Sequence, residues 1–287
     1  MMNQTLPSSS GTLFVVATPI GNLADLTHRA VTVLRDCDWV ACEDTRHSQR
    51  VFQEYGIQAR TIALHQHNEH QESARLIGFL QSGQHVALVS DAGTPLISDP
   101  GFTLLQLAHE AGITVSPIPG PSALTAFLSV VALNTQPFTF HGFIPAKSAQ
   151  RQKFYESLKP LTATHVFYES SHRVLNSVTQ IVTVFGADAV VGMGRELTKK
   201  FEHIFRGTAG QLLDLMNSDS NQLKGEFVLA IQAEKPLVTA QLDEQIQSLA
   251  VALTPHLPPR KAAKLVAEHY QVNKKKVYEF ILSLSAS

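Results

Sequence analysis

The chain has 287 residues, 44% of them hydrophobic and 16% charged, with a formal net charge of −1. That length allows about two domains at ~150 residues each, and the composition is that of a globular protein with a sizeable core. The near-zero charge excludes a globally basic nucleic-acid binder, so any such contact has to come from local basic patches.

Residues 1–11 are polar, lack a basic n-region and precede an apolar run too short for a signal peptide. They are expected to be disordered. Leu13 to Thr18 then reads as a strand, ending in Pro19-Ile20-Gly21-Asn22. Leu26, Ala30, Val33 and Leu34 recur at helical spacing, with Asp25 as the expected N-cap. Cys37 to Cys42 reads as a strand, followed by a helix ending near Gly56 and a strand from Arg60 to Leu64. The two cysteines match neither CxxC nor a zinc spacing and read as reduced, half-buried thiols.

The rhythm continues with a helix over Ser73–Gln81, a strand over His85–Ser90, a helix over Phe102–Ala111 and a strand over Ile113–Ile118. Strands separated by single helices predict a mostly parallel sheet covered on both faces. Between Glu110 and Lys147 there is no Asp, Glu, Lys or Arg, but Pro117, Pro119, Pro121 and Pro137 punctuate the stretch. Its longest apolar piece, Ala123 to Leu133, is shorter than the ~20 residues a membrane span needs. It is expected to be a buried core helix of a cytoplasmic protein.

Phe138 to Gly142 closes the predicted N-terminal α/β domain, residues 12–142, and a proline-bearing connector opens the second, residues 143–235. That domain has predicted strands at His165–Glu169, Ala189–Gly194, Phe201–Gly207 and Glu226–Ala233, with helices near Arg173–Phe185 and Ala209–Met216. The close pair around Thr198 predicts a hairpin and hence a mixed sheet. Residues 236–287 form a small helical appendage with helices at Asp243–Leu253, Arg260–Tyr270 and Lys274–Leu284. From Pro255 onward six basic residues face two acidic ones, a net +4 in a chain whose total is −1.

Ligands in open α/β sheets bind at the carboxyl ends of the strands, and three unusual loops fall there. They are Pro19–Leu23, Ser90–Gly101 and Pro119–Ser122. Gly93 can bring backbone close to a ligand, Ser122 can cap the helix behind it, and Asp91 can balance an ammonium or sulfonium. Each loop alone also reads as an ordinary βα turn. No GxGxxG follows a predicted strand and no GxxxxGK[ST] occurs, so dinucleotide and P-loop sites are not indicated.

Glu43-Asp44-Thr45-Arg46-His47 lies at another strand end. It reads either as a helix cap with dipole-matched acids or as a catalytic cluster, with Asp44 as base or orienter and Arg46 on a phosphate or ribose. His65 and His67 have no specific metal spacing, and no metal is expected. The second domain adds charge beside strand ends at Tyr168–Arg173, Gly194–Lys200 and Lys224–Glu226.

Taken in order, Thr18-Pro19-Ile20-Gly21-Asn22-Leu23, Glu43-Asp44-Thr45-Arg46-His47, Ser90-Asp91-Ala92-Gly93-Thr94-Pro95, Pro119-Gly120-Pro121-Ser122 and Gly194-Arg195-Glu196-Leu197-Thr198-Lys199 resemble the tetrapyrrole-methylase superfamily. More narrowly they resemble its bacterial branch of small-subunit ribosomal RNA cytidine 2′-O-methyltransferases. The resemblance runs from Leu13 to Ala233 and extends to the tail. It implies a two-domain α/β fold with S-adenosylmethionine bent between the domains, usually in a homodimer. It also implies ribose methylation of a decoding-region cytidine, on ribosomal RNA or the assembled 30S subunit.

Carried over by motif, cofactor contacts fall on Ile20, Asp91, Gly93, Thr94, Ser122, Ala123, Tyr168 and Leu197. A ribose hydroxyl gains from a carboxylate base; Asp44 and Glu43 are the candidates, with Glu169 behind them. The alternatives are a related methylase acting on a tetrapyrrole or other small molecule, and a non-catalytic RNA-binding module of the same fold.

Overall fold

The computed structural model describes residues 10–159, 163–232, 242, 244–270 and 272–284. The chain divides into two compact units, Met1–Gln232 and Ala233–Ser287. Most of the segment expected to be disordered, residues 1–9, and the junction expected at residues 235/236 lie outside the described residues.

The first half of unit one alternates strand and helix. Its elements are β1 (Thr12–Val16), α1 (His28–Asp36), β2 (Trp39–Cys42), α2 (Thr45–Glu54), β3 (Thr61–Ala63), α3 (Glu69–Gln81), β4 (Val86–Val89), α4 (Phe102–Glu110), β5 (Thr114–Ile118) and α5 (Ala123–Val130). The strands form a parallel sheet in the order β3-β2-β4-β1-β5. Both faces are covered, as single-helix crossovers require. Ala87 and Val89 of β4 join one core with Leu34 and Phe52 of α1 and α2, while Val86 and Leu88 join another with Leu76 and Leu104 of α3 and α4. Cys37 and Cys42 are free thiols buried in the first of these cores.

Several local expectations are corrected. The N-cap of α1 is Thr27, whose side chain accepts from the Ala30 N–H; Asp25 instead ends a 3-10 turn. Helix α3 begins four residues early, at Glu69, because its first turn is polar and carries no apolar period. Helix α5 is a half-buried helix, with Phe127 its only fully buried residue and Val130 54% exposed.

The second half holds β6 (Phe138–Phe143), α6 (Ser148–Leu158), β7 (Thr164–Ser170), α7 (Val174–Phe185), β8 (Val190–Arg195), β9 (His203–Thr208), α8 (Ala209–Ser218) and β10 (Glu226–Gln232). They build a mixed sheet in the order β6-β7-β10-β8-β9, with β6–β7 parallel and the other pairs antiparallel. Strand β6, assigned from sequence to the first domain, pairs with β7 instead. The chain crosses between sheets before Phe138, ahead of the proline-bearing connector that suggested the boundary.

Helix α6 carries no readable apolar stripe because its buried face is Arg151, Tyr155 and Leu158, with an arginine in the apolar position. The guanidinium is satisfied there by Gln180 Oε1 at 2.6 Å. Helices α6, α7 and α8 cover one face of the sheet, and α5 packs on the other with Val166, Val228 and Ala230. Two glycines on β8 make that approach possible. A Cβ on Gly192 would stand 2.3 Å from Val131 Cγ2, and one on Gly194 2.7 Å from Phe127 Cδ2.

The second unit is a three-helix cluster of α9 (Glu244–Leu253), α10 (Pro259–Tyr270) and α11 (Lys274–Leu284) around Ile246, Val266, Val277 and Ile281. Leu265 of α10 is 50% exposed. Among the described residues no helix is long and apolar enough to cross a membrane.

Candidate active site

The carboxyl ends of β1, β4 and β5 are stitched into one surface. Thr18 and Gly93 exchange backbone hydrogen bonds, 2.8 Å from Thr18 N–H to Gly93 O and 3.0 Å in return. Gly93 holds φ +84°, a left-handed conformation that a side chain resists. Space is not its constraint, since an added Cβ would meet Ile20 Cγ2 at an ordinary 3.4 Å. Thr94 Oγ1 donates to Pro121 O at 3.0 Å, joining the second loop to the third. Ser122 occupies the N-cap position of α5 but makes no side-chain cap bond, a correction to its expected role.

The β8–β9 loop closes on these loops from the second sheet. Asn22 N–H donates to Thr198 Oγ1 at 3.2 Å. Lys199 Nζ lies 2.9 Å from Glu196 Oε1 and 2.8 Å from Glu226 Oε2. Glu196 and Thr198 both have positive φ, +49° and +66°. Between them Leu197 turns its side chain inward.

The result is a cavity of about 450 Å³ between the two sheets of unit one. Ile20, Asp91, Gly93 and Thr94 line it from the first two loops, Ser122 and Ala123 from the start of α5, and Tyr168 and Leu197 from the second sheet. All eight positions singled out from sequence thus come together. Ile97, Ser98, Asp99, Phe143, Phe227 and Val228 line it as well and were not singled out. Phe143 is 56% exposed, with its ring 5.6 Å from that of Tyr168.

The three catalytic candidates are absent from that lining. Asp44 is the N-cap of α2: its Oδ1 accepts from the Arg46 N–H at 2.8 Å. The same carboxylate takes the Arg46 guanidinium, at 3.1 Å from Nε and 2.7 Å from Nη2. Those contacts hold Asp44 well below the usual carboxylate range. Both oxygens are engaged, so the segment reads as a cap, and Arg46, with an 88% exposed side chain, is tied to it. Glu43 is half-buried, and burial, then the neighbouring Asp91 carboxylate, raises its pKa.

Asp91 joins this segment to the cavity. Its Oδ1 accepts from the Asp44 N–H at 2.9 Å and its Oδ2 lies 3.0 Å from His47 Nδ1. Glu169 is buried and saturated, bonded by Arg173, Ser170 N–H and the Ser177 hydroxyl. It is part of the cavity lining, but its carboxylate is taken up by those partners. No group of three His, Cys, Asp or Glu among the described residues is disposed to hold a metal.

Asp99 is the carboxylate that sequence reasoning passed over. Burial pushes it up to about 6, the Glu43 carboxylate adds to that, a hydrogen bond with Ser90 opposes it, and Asp91 adds a further push. Its signal in the sequence is the second Ser-Asp pair of the loop, Ser98-Asp99, echoing Ser90-Asp91. Leu96 and Ser98, at φ +72° and +81°, put this stretch in a costly backbone conformation for residues with side chains. The loop is pinned at its far end by Glu69 Oε1, which accepts from the Gly101 and Thr103 N–H groups at 3.0 and 2.9 Å.

Comparison with known proteins places this geometry. The family model for tetrapyrrole (corrin/porphyrin) methylases matches residues 12–213, and one described as the RsmI C-terminal HTH domain matches residues 240–285. The chain is 45% identical to "Ribosomal RNA small subunit methyltransferase I" of Escherichia coli O157:H7, over 98% of each chain. It is 46% identical to the protein of the same name from Pseudomonas aeruginosa, over 94% of this chain and 96% of the other. Among solved structures it is similar in fold to uroporphyrin-III-C-methyltransferase from Thermus thermophilus (TM-score 0.54, 20% identity, 77% of this chain and 94% of that one). Diphthine synthase is also similar in fold (TM-score 0.57, 16% identity, 78% and 90%).

Proposed function

The chain belongs to the tetrapyrrole (corrin/porphyrin) methylase family, and from that premise we propose that it moves a methyl group from S-adenosylmethionine to the ribose 2′-hydroxyl of a cytidine in the decoding region of small-subunit ribosomal RNA. The observation that carries the reading is near full-length similarity to proteins named for small-subunit ribosomal RNA methylation, spanning the α/β part and the C-terminal helices alike. In this reading the protein is cytoplasmic, works as a homodimer and takes ribosomal RNA or the assembled 30S subunit as substrate.

The donor set of the cavity suits the cofactor. Asp91 and Glu226 bring negative charge toward a group that carries a sulfonium and an ammonium. The first N–H groups of α5, uncapped by a side chain, suit its carboxylate. Ile20, Leu197 and Val228 offer apolar walls for its purine. When bound, S-adenosylmethionine supplies an electrophilic methyl carbon. The chain's own residues then have to orient donor and acceptor in line and exclude water, which accounts for much of the rate of such a displacement.

The test is methyl transfer from labelled S-adenosylmethionine by the full chain, offered 30S subunits, protein-free ribosomal RNA, free cytidine and a tetrapyrrole in parallel. Label on a cytidine ribose of the RNA is expected. Label on the tetrapyrrole alone would replace the proposal with small-molecule methylation. Absence of S-adenosylmethionine binding in a titration would leave a non-catalytic RNA-binding module.

A further inference from the structure

We propose that Asp99 is the proton acceptor for the ribose hydroxyl, set in place by the strained, tethered loop that carries it into the cavity. The inference rests on the 2′-O-methylation reading above and supplies the group which that chemistry lacks.

Elimination and placement carry it together. A ribose hydroxyl is a poor nucleophile and gains from a carboxylate that is ionised at working pH yet still basic. Of the nearby carboxylates, Glu43 and Asp44 do not line the cavity, and Asp44 is also occupied on both oxygens by Arg46. Glu169 is buried in contacts with Arg173, Ser170 and Ser177. Asp91 is committed to the Asp44 N–H and His47, and Glu226 is paired with Lys199. Asp99 lines the cavity and has no ion pair among the described residues.

The loop's conformation points the same way. Two residues with side chains hold positive φ on either side of Ile97, and Glu69 fixes the following turn. Strain of this kind persists only where the surroundings impose it, and it concentrates at working sites. Gly142 of β6, at φ +68°, leaves the room that Ser98 Oγ occupies; a Cβ there would stand 3.1 Å from that oxygen. The second sheet thus lies against the loop.

The charged and titratable groups that face Asp99 are Glu43 from the end of β2, Asp91 from the end of β4 and Tyr168 from β7. None is a cation. Burial first, then the Glu43 and Asp91 carboxylates, keep the carboxylate basic enough to receive a proton near neutrality.

The step balances. The ribose O–H bond breaks and its proton passes to an Asp99 oxygen. The ribose oxygen forms the new O–CH₃ bond, and the S–CH₃ bond breaks with its electron pair left on sulfur. The cationic donor and the carboxylate become a neutral thioether and a neutral carboxylic acid.

The experiment measures single-turnover transfer to RNA ribose against pH for the full-length wild type, Asp99→Asn, Asp99→Glu and Glu43→Gln. S-adenosylmethionine affinity is titrated in parallel, and the fold is followed by thermal melting. Wild-type rate should rise with pH through about 6 and level off above it. Asp99→Asn should lose on the order of 10²-fold or more in rate and lose that acid limb, while cofactor affinity changes by no more than a few fold. Asp99→Glu should recover part of the rate with a displaced limb. Glu43→Gln, by removing a like charge, should move the limb to lower pH.

Retention of rate and limb in Asp99→Asn would overturn the assignment, as would loss of cofactor binding, which would make Asp99 a cofactor ligand instead. An unmoved limb in Glu43→Gln would overturn it too. If Asp99→Asn fails to fold, the wild-type, Asp99→Glu and Glu43→Gln profiles decide alone. Failure of the underlying reading looks different: wild type itself would put no label on ribose.

Discussion

Gly21 lies against the aliphatic stem of Lys199, so close that a Cβ on the glycine would stand 2.3 Å from Lys199 Cγ and 2.9 Å from Cε. The lysine cannot simply swing away, because its ammonium is held by Glu196 and Glu226. This contact joins the loop after β1 to the β8–β9 loop, and each loop sends one apolar residue, Ile20 or Leu197, into the cavity.

Gly21→Ala should therefore act as an overpacking change, costing about 1–3 kcal/mol, and it should also spread the two loops. The expected outcome is a lower melting temperature and cofactor affinity reduced about tenfold or more. Adding Lys199→Ala should restore much of both, since it removes the stem that the new methyl meets. A double variant no better than Gly21→Ala would show that the contact is not the cause.

Asp44→Ala should weaken the start of α2 and leave single-turnover methyl transfer per folded molecule nearly unchanged. The sign of its pH dependence follows from a folded-state pKa depressed by Arg46. The stabilisation is present above the ordinary carboxylate pKa near 4 and is lost as pH falls toward the folded value. Melting temperatures of wild type and variant should differ at pH 7 and converge in acid. A large loss of rate at unchanged stability would return Asp44 to the catalytic group.

The opposite sign applies to Asp99, whose folded pKa is raised from 3.8 to about 6. Its contribution is complete below pH 4 and is lost as pH rises through about 6, where the fold has to accept a poorly solvated, like-charged neighbour. Asp99→Asn should then melt at or above the wild-type temperature at pH 8, with the difference shrinking toward pH 4. A carboxylate kept for stability would give the reverse order.

In the C-terminal unit, Arg260, Lys261 and Lys274 are exposed at the first turns of α10 and α11. Cations there oppose the helix dipole and so are not placed for helix stability. If they meet RNA phosphates, changing all three to Gln should weaken 30S or RNA binding and flatten the log–log salt dependence by roughly 2, at about 0.7 per phosphate contact on single strands. Cofactor affinity should stay unchanged. An unaltered slope would remove these residues from the RNA contact.

Much of the fold was legible because burial is periodic. Strand β4 is buried on both faces and α7 carries Val174, Val178 and Ile181 along one side, so apolar spacing alone locates them. Helix α6 was not legible because Arg151 takes an apolar position and finds its partner, Gln180, on another helix. The edge strand β6 was assigned to the wrong sheet because its partner lies more than twenty residues downstream in β7. At the site, the loops announced themselves by composition, and their residues converge on one cavity. What sequence could not rank was the carboxylates. Asp44 looks free until Arg46 is seen folded back upon it, and Asp99 looks like an ordinary turn residue until its loop is placed.

Glu69 sits in the first turn of α3, yet it supplies the hydrogen-bond acceptor that opens α4 more than thirty residues later. The start signal of that helix is written elsewhere in the chain. A segment covering the Asp99 loop and α4 cannot therefore be treated as a portable cassette. Moved into a distant relative to exchange substrate preference, it would arrive without its anchor unless α3 travelled with it, and inheritance of the two pieces has to be matched.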